Sequence, residues 1–336
     1  MSKKKQKAKK SKKKKYAKIP SSLKSPDNSK QKEKEKNIFP KTLPSPYQSE
    51  RMHRAIGRLM DQHDFKSSKE AEQFVQNQIM GKSVEEVQAL TDFEPSEEAQ
   101  ELAYKAMDTE NPDEALELAD RALQLDPDCI DALMIKVEFT ARSIPDVIDS
   151  LKKIIARAEQ KLGRQYFEEN KGHFWGLVET RPYMRAQEFL TTSLKVAGQL
   201  KEAIKQAEQM LELNPNDNQG IRDSLLGMYL ETGNLKGARK LIKKYPNQIM
   251  ATFLWGQVLE RYLSGKLGQA AGLYREANSK NPHVFDYLIG RKKYPLKYKQ
   301  YYYTPGEESE AIQCAEEIGP AWQKHPEAIK WLMSLR

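Results

Sequence analysis

The sequence predicts an all-α chain built from stacked helix pairs, and three observations carry that expectation. Between Met184 and Tyr245 one helical unit occurs twice. Gly198 and Gly233 fall in the turns, Ala203 and Ala238 follow five residues later, and both landmark pairs lie 35 residues apart, a period that signals stacked repeats. The second helices carry small side chains in register: Ala115, Ala119 and Ala122, then Ala203, Ala207 and Met210, then Ala270, Tyr274 and Ala277. Each set is closed by a proline, at Pro127, Pro215 or Pro282. Composition agrees, since 38% hydrophobic and 31% charged residues suit polar helices better than a thick layered core.

The physics of the pattern is direct. Two antiparallel helices approach closely only where small residues sit at the crossing, so Ala is required there. Proline ends the second helix because it has no N–H to donate. Glycine fills the turn because a left-handed backbone costs it little.

In chain order, residues 1–47 read as a disordered Lys-rich tail. Residues 1–45 hold 17 Lys, no Arg and three acids (Asp27, Glu33, Glu35), a balance of +14, so the net charge of +9 leaves 9 − 14 = −5 for residues 46–336. Such a tail offers too little apolar surface to offset backbone ordering. Its charge suits a polyanion such as RNA, a ribosome or anionic lipid, or simply a solvated arm. Residues 48–95 predict a small helical N-terminal unit and linker, with Ser68 as a helix cap and Ile56, Leu59, Met60, Phe74, Val75 and Ile79 at helical spacing. The array spans 96–282, with an aberrant unit over 130–163 and an insertion at 164–182. Residues 283–336 form a C-terminal helical cap.

Several function classes lack their motifs. The sequence contains no GxGxxG, GxxxxGK[ST] or GxSxG, and its histidines (His53, His63, His173, His283, His325) share no metal-ligand spacing, so no cofactor is expected. Cys129 and Cys314 give no disulfide framework, and no apolar run approaches the ~20 residues of a membrane span. A reducing cytoplasm is the simplest home. His173, beside Phe174 and Trp175, reads as a catalytic base or as a packing residue. Cys314, among acids, reads as a buried small hydrophobe.

Anion chemistry is concentrated in Arg181 and Arg185. One turn apart at a helix entry, they suit bidentate capture of a carboxylate or phosphate, or pairing with Glu179 to anchor the insertion. Arg222, with Asn214, Asp217 and Asn218, reads as turn and cap chemistry or as part of an anion site. The stretch IGRKKYPLKYKQYYYTPG, with Lys292, Lys293, Lys297 and Lys299 among tyrosines, suits either single-stranded nucleic acid or the covering of a last apolar face.

The Ala and Pro positions, with Leu102, Ala103, Leu225, Leu226 and Tyr229, resemble the tetratricopeptide repeat pattern. The insertion is similar to a family of bacterial tetratricopeptide proteins that carry EENxGHFWGxxETRPYMRA and NPNDNQGIR. Here these are Glu168–Ala186 and Asn214–Arg222, and Asn281–Trp322 fits the same family. A more distant similarity is to the suppressor of tumorigenicity 7 family. The resemblance implies a superhelix whose first helices line a concave face. Its inward positions would be Arg185, Glu188, Thr192, Lys195, Asp223, Trp255, Leu259 and Tyr262, although Trp255 and Tyr262 read equally as core residues, as first-helix aromatics usually are. It lends no activity. The expected function is therefore a non-catalytic scaffold for a protein or peptide, with the tail attaching to a polyanion. The alternative is an RNA- or ribosome-associated factor.

Overall fold

In a computed structural model, every regular element among the described residues (45, 47–246, 248–293 and 303–336) is helical. Three helices come first: α1 (Gln48–Asp61), α2 (Ser68–Gln78) and α3 (Val84–Gln88). Five pairs follow: α4 (Pro95–Asp108) with α5 (Pro112–Leu125), α6 (Ile130–Thr140) with α7 (Ile144–Asn170), α8 (Arg181–Val196) with α9 (Leu200–Leu213), α10 (Ile221–Glu231) with α11 (Leu235–Lys244), and α12 (Ala251–Leu263) with α13 (Leu267–Lys280). A 3₁₀ turn, Val178–Thr180, leads into α8, and α14 (His283–Leu288), α15 (Glu308–Gln323) and α16 (Pro326–Ser334) close the described chain. None of these helices is long and apolar enough to cross a membrane.

The elements start where local chemistry lets them. Asn111, Ser143 and Asn234 accept backbone N–H groups at the heads of α5, α7 and α11, and Pro112 and Pro145 occupy first-turn positions where no donor is lost. The cap of α2 is Ser67 rather than Ser68, its Oγ accepting the N–H of Glu70. Gly198, Gly233 and Gly265 turn the chain at φ +73°, +72° and +72°, where a Cβ would be strained.

Each pair packs internally, and first helices adjoin from α4 to α6, from α6 to α8 and from α10 to α12, whereas α10 meets the preceding pair through α9. All three small-residue sets are buried, with Ala119, Ala122, Ala203, Ala207, Ala270 and Ala277 fully out of solvent. The main core runs from α6 to α16 and is filled by Trp255, Trp322, Phe174, Phe253 and Phe285. A separate, alanine-rich core joins α4, α5 and α6.

Two features differ from the sequence reading. α7 breaks its helical dihedrals at Gly163 (φ 75°, ψ 155°), and residues 164–170 of the insertion continue as helix beyond the break. Residues 283–336 do not merely follow the last helix pair, because α15 lies along α10 and α12. Residues 1–44 and 46, Lys297, Lys299, and Tyr294, Tyr298, Tyr301 and Tyr302 lie outside the described residues.

Because Ala203 is fully buried where α8 and α9 cross, Ala203→Glu forces a carboxylate into a dry contact. The expected loss is about 3 kcal/mol or more. A thermal melt unchanged from wild type would remove the crossing from its structural role.

Candidate functional site

One side of α8 gathers several of the charged residues singled out from the sequence. On α8, Arg185, Glu188, Thr192 and Lys195 are spaced three, four and three residues apart, which puts them on one side of the helix. The structure seats one of the chain's own helices at each end of that stripe.

At the first end sits α1. The Arg185 guanidinium donates from Nε to Asp131 Oδ1 (3.0 Å) and from Nη1 and Nη2 to Glu50 Oε2 (3.0 Å) and Oε1 (3.1 Å). Asp131 is fully buried and also accepts from Gln100 Nε2 at 2.7 Å. Glu50 accepts from Tyr104 Oη, and Arg181 Nη1 reaches it at 3.5 Å. Arg54 extends the network, donating to Tyr104 Oη (3.0 Å), Glu97 Oε1 (3.1 Å) and the Val178 carbonyl (3.0 Å). Tyr47 stacks on Tyr104, with their centroids 5.7 Å apart and Arg185 over its ring. Burial alone would push the Glu50 carboxyl up. The hydrogen bond and charge of Arg185, with Tyr104 and Arg181, hold it below the usual range instead.

The two arginines are thus already holding carboxylates, but not the one expected. Glu179 is exposed and makes no ion pair among the described residues, while Arg181 uses its Nε to grip the Trp175 carbonyl at 2.9 Å. The real partners stand 135 residues (Glu50) and 54 residues (Asp131) from Arg185, beyond the reach of local pattern. Arg222 likewise stays within the chain. Its Nε lies 3.4 Å from Asp217 Oδ2, and Asp217 accepts the N–H groups of Ile221 and Arg222 to cap α10.

At the other end lies α15. Lys195 Nζ donates to Glu317 Oε2 at 2.6 Å and to Ser224 Oγ at 3.0 Å. Gly227 makes the approach possible: a Cβ there would fall 2.1 Å from the Glu317 carbonyl oxygen. The α15 side chains Ala311, Cys314, Ala315, Ile318, Ala321 and Trp322 are buried, and Glu310 accepts from the Ala251 N–H (2.9 Å) and Asn281 Nδ2 (2.9 Å). Cys314 is fully enclosed, and burial pushes its thiol well up, so it behaves as a packing residue.

Asp223, on α10, has neither a hydrogen bond nor an ion pair through its carboxyl among the described residues. Burial first, and then the charge of Glu317, raise it to about 7. Glu188 is also pushed up by burial, against the hydrogen bond it accepts from Gln219 Nε2 at 2.6 Å. Between the two seated helices only Thr192 on this stripe is exposed.

Two expected surface positions belong to the interior. Trp255 and Leu259 are fully buried, with Trp255 edge-on to Tyr274 at 5.8 Å, because α12 is covered by α13 on one side and α15 on another. Tyr262 is half-covered by Trp331 of α16, 4.9 Å away. His173 is exposed, and its neighbour Phe174 is buried against Phe167 and Tyr183. Among the described residues, no three His, Cys, Asp or Glu side chains converge as a metal site.

Sequence reasoning missed Glu50, Gln100, Tyr104, Asp131, Gly227 and Glu317. Gly227 carried a signal, since an isolated glycine inside an apolar helix marks a close packing contact. Asp131, an acid opening the apolar run IDALMIKV, carried a weaker one.

No family model matches the chain, and a search of curated proteins finds no relative.

Two measurements test this arrangement. Arg185→Met strands buried Glu50 and Asp131, an expected loss of about 3–5 kcal/mol in urea denaturation. A loss below about 1 kcal/mol would mean the network carries little of the fold. For Asp223 the folded value is raised, so stability is fullest below pH 3.8 and falls as pH rises toward about 7. Asp223→Asn should therefore melt above wild type at pH 8, with a smaller gap at pH 4. The reverse trend would contradict the placement of Asp223.

Proposed function

We propose that the chain is a non-catalytic, tetratricopeptide-like helical-repeat scaffold, of the bacterial type its sequence resembles, that binds a protein or peptide on the face of its first helices. In this reading the pairs wind into a superhelix and the Lys-rich tail adds electrostatic attachment to a polyanion. Supporting it are the serial helix pairs, the buried small residues at their crossings and the first helices that adjoin, α4 with α6 with α8 and α10 with α12.

One observation carries the binding role: that face already holds two helices of the same chain through cation–carboxylate pairs, Arg185 with Glu50 and Lys195 with Glu317. A surface that seats amphipathic helices in cis has the chemistry to seat another. The open part is short. From Arg185 to Lys195 the α8 axis rises about 15 Å, so the space over Glu188 and Thr192 suits a short extended segment or one crossing helix about 10 Å wide.

Peptides selected from a displayed random library against the full chain should lose affinity by about tenfold or more in Thr192→Arg, a difference of about 1.4 kcal/mol. Lys205→Glu, exposed on α9, should bind as wild type. Equal binding by Thr192→Arg would refute this use of the face.

A further inference from the structure

The helix α11, LKGARKLIKK, carries five cations and no acid, although the body from residue 46 onward has a net charge of −5 (+9 less the tail's +14). Ala238 and Leu241 are buried on its inner side. Lys236, Lys240, Lys243 and Lys244 recur at intervals of four, three and one residues, which places them together on the opposite side. All four are exposed, and none has an acidic partner among the described residues. Arg239, at the edge of the stripe, is spoken for by Glu260 Oε1 at 2.6 Å and Ser264 Oγ at 2.8 Å. Several other lysines of the body sit against carboxylates, among them Lys136 with Asp120, Lys152 with Glu202 and Lys171 with Glu212. Exposed lysines without such a partner among the described residues, such as Lys153, Lys201, Lys205 and Lys266, are not gathered on one helix.

The fold gains little from this arrangement. Lys236/Lys240 and Lys240/Lys244 are like charges four apart, and each such pair is mildly destabilising. Lys243 and Lys244 recover part of that by lying in the last turn, where cations favour the helix dipole. Lys236 and Lys240 do not.

We propose that this stripe binds the phosphate backbone of single-stranded nucleic acid. Lys236, Lys240 and Lys244 stand about 6 Å apart along the helix axis, a row that one strand can follow. Lysines are point charges that neutralise phosphate without reading bases. Of the rings beside α11, Tyr229 is buried. Tyr245 is already engaged by Arg222 and Lys244 and donates its hydroxyl to the Pro215 carbonyl at 2.9 Å, so the binding is independent of base sequence. The stripe is one helix wide. A flat anionic membrane would have to accommodate the exposed acids Glu208 and Glu212 of α9, which with α11 flanks α10; a strand avoids them.

The test uses the full chain and a fluorescent 20-nucleotide poly(U) RNA, with anisotropy followed over a KCl series. The Lys236→Gln/Lys240→Gln/Lys243→Gln/Lys244→Gln variant should flatten the log K against log[KCl] slope by about 3, at roughly 0.7 per phosphate contact, and weaken binding at low salt. Its melting temperature should equal or exceed that of wild type, because repulsion is removed. The corresponding four-Arg variant should restore the slope. Lys153→Gln/Lys201→Gln/Lys205→Gln/Lys266→Gln, which removes four exposed lysines elsewhere, should change it much less. An unchanged slope in the α11 variant, or an equal change in the control, would overturn the proposal. So would RNA binding that stays intact while binding to phosphatidylserine vesicles is lost.

Discussion

Everything in this molecule rests on close helix crossings. Short helices are marginal in water, and their apolar stripes are hidden only by packing on one another. Packing of that kind requires small side chains at the crossing points, and the structure puts Ala119, Ala203 and Ala277 there with no exposed surface. Gly227 takes the same requirement to its limit, letting a third layer, α15, rest on bare backbone. From these contacts follow the serial helix pairs and the neighbouring first helices α4, α6 and α8, and then α10 and α12.

The charged side of α8 is largely spoken for. α1 covers one end through Glu50 and α15 the other through Glu317, each meeting a cation of α8. A largely buried ion pair such as Arg185–Glu50 adds little net stability over an apolar contact of equal size, but it fixes geometry, since a shifted α1 would strand a charge. The partly exposed Lys195–Glu317 pair does so more weakly. α15 adds a large apolar contribution through Ile318 and Trp322 and is part of the core.

Much of the fold was legible in the sequence because its signals are local. The period of 35, the small-residue sets and the turn glycines each depend on neighbours within a few residues, and helical structure stands at all of them. The site was less legible because its chemistry is long-range. Arg181 and Arg185 were recognisable as anion-seeking, yet nothing near them in sequence names Glu50 or Asp131. Trp255 reads as either a surface or a core aromatic until α15, more than fifty residues later, is known to cover α12. The cap of α2 moved by one residue, Ser68 to Ser67, since both serines offer the same hydroxyl.

The bridge made by α1 bears on how the stack comes apart. Arrays of helix pairs ordinarily fray from the outermost member, which has only one neighbour. Here Arg54 and Tyr104 tie α1 to α4, while Arg54 also reaches the turn before α8 and Glu50 reaches Arg185 within α8. The first pair is thereby staked to the third, so the N-terminal end of the stack opens together with its middle rather than peeling away alone.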